Sequence, residues 1–141
     1  ERAISISTKD KEEGFQTYVH KMLEQKNITQ SLISDRSGID ESTLNRYING
    51  SRSPSVDTVF RIALALRLSL VETEALLRKL NMGFKSSAKD AVIIEAIKQK
   101  NFDYLAVEAV LRYLTNGEES ILTKKEKELF SDDDLKIEIE D

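Results

Sequence analysis

The sequence predicts a mostly α protein: a five-helix domain, then a small helical C-terminal unit, with a short β ribbon formed by the two termini. Three observations carry this. Breakers are scarce, with five glycines and one proline in 141 residues, while Leu, Ile, Lys and Glu are plentiful, which favours helices. Apolar residues recur at helical spacing in one segment after another. Most of these segments follow a side chain suited to an N-cap.

Residues 1–13 form a polar, charged N-terminal arm apart from Ala3, Ile4 and Ile6. From Phe15 the pattern changes, and Phe15, Tyr18, Val19, Met22 and Leu23 make a helical stripe that stops near Asn27. Thr29 caps a second helix running to Ser37 and closed by Gly38, a natural positive-φ position. Asp40 then caps a third helix, about Glu41–Ile48, ended by Asn49-Gly50. After the loop to Pro54, Ser55 caps a fourth helix bearing Val56, Val59, Ile62, Ala63 and Leu66. Ser69-Leu70-Val71-Glu72 fits a capping box opening a fifth, with Leu76, Leu77 and Leu80.

The first domain therefore spans 14–82, and a C-terminal unit spans 83–130. Within that unit, Ser87 caps a helix carrying Val92, Ile93, Ala96 and Ile97. Asp103 or a neighbour caps the next, with Leu105, Val107, Val110, Leu111 and Leu114, closed by Asn116-Gly117. Thr123-Lys124-Lys125-Glu126 opens a last short helix. Residues 131–141 form an acidic tail, in which Leu135, Ile137 and Ile139 alternate with charged residues, a period-2 strand signal. Ala3-Ile4-Ser5-Ile6 is the one comparable segment, hence the predicted ribbon.

Composition excludes several function classes. Without cysteine there is no disulfide framework, thiolate metal site or cysteine nucleophile. A single histidine, His20, leaves little for metal binding or a catalytic triad and reads as a surface or partly buried side chain. No phosphate-cradling glycine loop or nucleophile-base pair is present, so neither an enzyme nor a cofactor or metal is expected. No apolar run nears the roughly 20 residues of a membrane span, and no signal-peptide pattern shows, so a cytoplasmic location without membrane contact is expected. Tyr104 and Tyr113 read as core or rim aromatics; Lys124, Lys125 and Lys127, interleaved with Glu126 and Glu128, read as a solvated face. Asp132-Asp133-Asp134 lacks the spacing of a calcium loop and reads as a solvated linker.

Two short helices joined by one glycine turn, the second presented outward, form a helix-turn-helix. A single helix fits the major groove of DNA, where each base pair shows a distinct donor and acceptor pattern. At Gln30, Ile33-Ser34, Gly38-Ile39, Ser42-Thr43-Leu44, Asn49-Gly50 and Pro54, and through Ser55 to Leu66, the chain resembles the Cro/lambda-repressor-like (XRE) helix-turn-helix family. The resemblance covers about residues 15–80, roughly half of the chain. It implies a lambda-repressor-like five-helix domain and a sequence-specific regulator on double-stranded DNA, acting as a homodimer on a near-palindromic site. It also implies base contacts from Glu41, Ser42, Asn45 and Arg46, and phosphate contacts from Gln30, Thr43, Asn49 and Arg52. Ile39, Leu44 and Tyr47 would set the angle between the helices.

Departures from the family pattern keep an alternative open. Segment 29–54 holds three arginines against three acids and so has no basic patch. Leu32, Ile48 and Leu64 stand where the family more often has polar residues, and would mark a face covered by the C-terminal unit or a protein partner. The alternative is thus a protein-interaction module or antitoxin-like component on the same scaffold. Acidity is also local: residues 118–141 hold ten acids and four lysines, whereas residues 1–117 hold fifteen acids and seventeen bases. The tail could compete for the DNA-facing surface as an internal mimic.

Overall fold

The computed structural model describes residues 2–135, with side chains from residue 14 onward. Among these are eight helices and no strand: α1 (Arg2–Lys26), α2 (Gln30–Ser37), α3 (Glu41–Asn49), α4 (Val56–Ala65), α5 (Leu70–Arg78), α6 (Ala88–Lys98), α7 (Tyr104–Thr115) and α8 (Lys124–Leu129). None is long and apolar enough to cross a membrane.

Local punctuation follows the sequence. Thr29, Asp40, Ser55, Ser69, Ser87, Asp103 and Thr123 each accept a backbone N–H of the helix they precede. Both Ser69–Glu72 and Thr123–Glu126 close reciprocal capping boxes. Gly38 (φ +73°) and Gly50 (φ +86°) end α2 and α3 in the left-handed region that L side chains resist.

The N-terminal segment is not the irregular arm that its polar composition suggests. Residues 2–13 are helical and continue into α1, although Gly14 (φ 60°, ψ −173°) leaves helical geometry and breaks the run. The predicted ribbon is not formed by Ala3–Ile6, which lie in α1. Leu135 lies in a turn, and Ile137 and Ile139 of its other half fall outside the described residues. Two or three alternating apolar residues fit a helix face as readily as a strand, so a short period-2 signal does not decide.

Helix α4 sits at the centre and packs on α2, α5 and α7, while α1 rests on α3 and α5, and α6 joins α5 to α7. Its residues 59 to 65 are all buried, as expected of a helix apolar on every side. One core cluster runs from Phe15 through Ile33, Leu44, Phe60 and Leu76 to Ile93, Leu111 and Leu122, and so joins the first five helices to the rest. Phe84, between α5 and α6, stacks on Phe60 at 5.7 Å. Ile48 and Leu64 are core members rather than an outer face, and Leu32 is half-buried. Ile48 follows Leu44 by one turn, so it shares the inward stripe.

In the C-terminal unit, Glu108 is fully buried and accepts from Arg112 Nε (2.7 Å), Ser120 Oγ (2.6 Å) and the Ile121 N–H (2.9 Å). This ties the loop after α7 back onto that helix. Lys124, Lys125 and Lys127 are exposed, but Glu126 does not belong to a solvated face; it pairs with Arg61 of α4. His20 and Tyr113 are exposed and Tyr104 is buried. Asp132 meets Arg112 at 3.2 Å, and Asp134 accepts from the Ser131 N–H at 2.9 Å.

Candidate nucleic-acid interface

Helix α3 divides cleanly by face. Leu44 and Ile48 point into the core, Thr43 and Tyr47 are half-buried, and Glu41, Ser42, Asn45, Arg46 and Asn49 are exposed. All four predicted base-contact residues therefore share one solvent-facing stripe. The buried pair anchors α3 against α1 and α2, so the stripe stands outward on a rigid base.

The predicted phosphate residues surround that stripe unequally. Gln30, at the start of α2, donates from Nε2 to Asn45 Oδ1 at 3.4 Å, which brings the two helices' polar edges together. The Arg52 N–H bonds the Arg46 carbonyl at 3.1 Å, and its guanidinium lies 5.6 Å from the Tyr47 ring centroid, so Arg52 borders the C-terminal end of the stripe. Thr43 is turned toward the cap, its hydroxyl donating to Asp40 Oδ2 at 2.8 Å. Asn49 uses its side-chain oxygen to accept the Ser51 N–H at 2.8 Å, leaving the amide nitrogen as the half suited to phosphate. Of the expected interhelical residues, Leu44 is fully buried, whereas Ile39 and Tyr47 are partly so.

The local field is mixed. The Thr43 N–H and hydroxyl hold the Asp40 carboxyl below its ordinary value, so the cap is an anion at neutral pH. Arg36 reaches away, donating to the Ala65 carbonyl at 3.2 Å, and satisfies the end of α4. The charges at this face are thus Arg46 and Arg52 against Asp40 and Glu41.

The turn between α2 and α3 has its polar groups paired. The Gly38 N–H bonds the Ser34 carbonyl (3.0 Å), the Ile39 N–H bonds Ser37 Oγ (3.2 Å), and Ser34 Oγ donates to the Ile39 carbonyl. The Ser37 carbonyl accepts from Arg61 Nε at 3.1 Å and Nη2 at 2.8 Å. Arg61 and its partners are the residues that sequence reasoning missed. The available signal was α4 itself: apolar residues on every side predict a central helix, and one arginine within it needs a buried partner.

A helix-turn-helix family model matches residues 19–72, which takes in α2 to α4, the C-terminal third of α1 and the start of α5. No curated protein and no solved structure matches the chain. Two capped helices meeting at a left-handed glycine, a buried Leu44–Ile48 pair and an outward polar stripe fall inside the matched segment. Residues 19–72 are accordingly a helix-turn-helix domain of the Cro/lambda-repressor-like (XRE) family, a DNA-binding domain of transcription-regulator type.

Proposed function

We propose that the protein is a sequence-specific transcriptional regulator that lays α3 in the major groove of double-stranded DNA. The observation that carries this reading is the exposed stripe Glu41, Ser42, Asn45, Arg46 and Asn49, opposite buried Leu44 and Ile48. Arg46 suits guanine O6 and N7, Glu41 suits cytosine N4, Asn45 suits adenine, and Ser42 suits either kind of base edge. Gln30, Asn49 and Arg52 would set register on phosphates without reading sequence, with Thr43 in a lesser role. Such a regulator works in the cytoplasm.

The reading includes a homodimer through the C-terminal unit. An apolar groove between α6 and α7 has Ala91, Val92 and Ala96 on one wall and Val110 and Leu114 on its rim. Val110 and Leu114 are 44% and 62% exposed. One patch thus offers both a hollow and a ridge, as an isologous contact requires. A twofold dimer would set two α3 helices about one helical turn apart on DNA, roughly 34–36 Å.

The near-neutral charge of the α3 face supports a second reading, a protein-interaction module on the same scaffold with weak DNA affinity. The discriminating experiment is selection of bound duplexes from a random pool by the full chain. A consensus whose affinity falls steeply with salt is expected. Absence of any consensus, with a partner protein co-purifying, would establish the second reading instead.

A further inference from the structure

The C-terminal unit reaches the helix-turn-helix at the turn, through a buried cation. Arg61 is 3% exposed and bonds the Ser37 carbonyl, the last carbonyl of α2. The rest of its guanidinium is taken by residues outside the family segment. Glu126 accepts from Nη1 at 2.6 Å and from Nη2 at 2.7 Å, in the bidentate geometry that strengthens such pairs. Tyr104 lies against its face, with the ring centroid 4.5 Å from Cζ.

Tyr104 also closes over Gly38. A Cβ on that glycine would run into Tyr104 Oη, lie 2.6 Å from Tyr104 Cζ and stand 2.9 Å from Arg61 Nη2. Gly38 is therefore required twice, for its φ of +73° and for the approach of α7. Glu126 is held in turn by its own cap, accepting the Thr123 N–H at 2.8 Å. Cap, carboxylate, guanidinium and turn carbonyl form one continuous chain from α8 to the start of the α2–α3 turn.

We propose that Tyr104 and Glu126, acting through Arg61, are positioning residues of the DNA-reading surface. They touch no base; they set where α3 stands relative to α2. Without Glu126, Arg61 is a buried charge lacking its counterion and cannot stay where it bonds Ser37. The turn then loses its outside support, and DNA binding must itself order α3 against α2. Base reading suffers from that disorder, whereas phosphate attraction, set by charge, suffers little. The proposal rests on the DNA-binding reading above.

The test uses the full chain and the selected consensus duplex, with a scrambled duplex as comparison, across a salt series. Glu126→Gln should weaken consensus binding by about tenfold. Binding to the scrambled duplex and the salt slope should stay as in the wild type. Amide exchange at Gly38 and Ile39 should accelerate relative to α5. Tyr104→Leu, which leaves the ion pair in place, should move the same quantities in the same direction by a smaller factor, and it serves if Glu126→Gln fails to melt cooperatively. Wild-type discrimination retained in a cooperatively folded variant overturns the proposal alone. Equal loss on both duplexes also overturns it, because general destabilisation would then suffice. No discrimination by the wild type defeats the DNA-binding reading itself, and the proposal with it.

Discussion

Gly38 and Gly50 end successive helices with the same left-handed backbone, yet their surroundings differ. A Cβ on Gly38 collides with Tyr104, whereas one on Gly50 meets nothing within 4 Å. Gly50→Ala should therefore lose only the backbone term, about 1 kcal/mol. Gly38→Ala adds overpacking against a buried ring and should lose about 2–4 kcal/mol. Urea denaturation of both variants checks this, and equal losses would mean that Tyr104 yields freely. Arg46 supplies the opposite case, since its side chain is exposed and its carbonyl, not its guanidinium, accepts the Arg52 N–H. Arg46→Ala should leave the melting temperature unchanged and relax selectivity at one base pair by about 1–3 kcal/mol. Unchanged selectivity in a binding assay on single-base variants of the consensus would remove Arg46 from base reading. The exposed stripe was legible in the sequence because the family resemblance sets Leu44 inward and Glu41, Ser42, Asn45 and Arg46 outward, whereas the burial of Ile48 was not. Arg61 was not, because nothing adjacent to it in sequence names a partner 65 residues away.

Caps explain why the helix boundaries were legible. A cap is satisfied within three residues, so the sequence that needs it also contains it. Two of these carboxylates also give the fold a pH dependence. Asp40 lies below its ordinary value because the Thr43 N–H and hydroxyl favour its anion. For Glu126, burial pushes the carboxyl up, but the bonds from Arg61 and the Thr123 N–H outweigh it and the net direction is down. A carboxyl depressed in the folded state contributes stability that is present above its unfolded value and lost as pH falls through the folded one. Thermal melts should thus fall progressively from about pH 5 downward. The acid slope should be shallower in Glu126→Gln, measured on the same pH series, and an identical slope would leave Glu126 without a share in it. Local pattern misleads where context overrides it. Gly14 marks a break inside α1 rather than its beginning, and the Ala3–Ile6 alternation belongs to a helix.

Across the whole molecule, the proposed dimer makes a direct prediction. Leu114 is 62% exposed on the rim of the α6–α7 groove and outside the core cluster. Leu114→Glu should leave the monomer's melt intact and shift sedimentation from dimer to monomer, with DNA affinity falling as the second half-site is lost. Dimers that persist in this variant would place the interface elsewhere. The amino-acid sequence by itself determined the helices from α2 to α8, their caps, the glycine turn and the outward face of α3. Each depends on residues within a few positions of one another, and short-range hydrogen bonding and periodicity suffice to specify them. Only the tertiary structure decided that Ile48 and Leu64 join the core and that Arg61 links Ser37 to Glu126 and Tyr104. Those contacts depend on which surfaces meet after the chain has folded back on itself, and burial then requires a counterion that local pattern cannot locate.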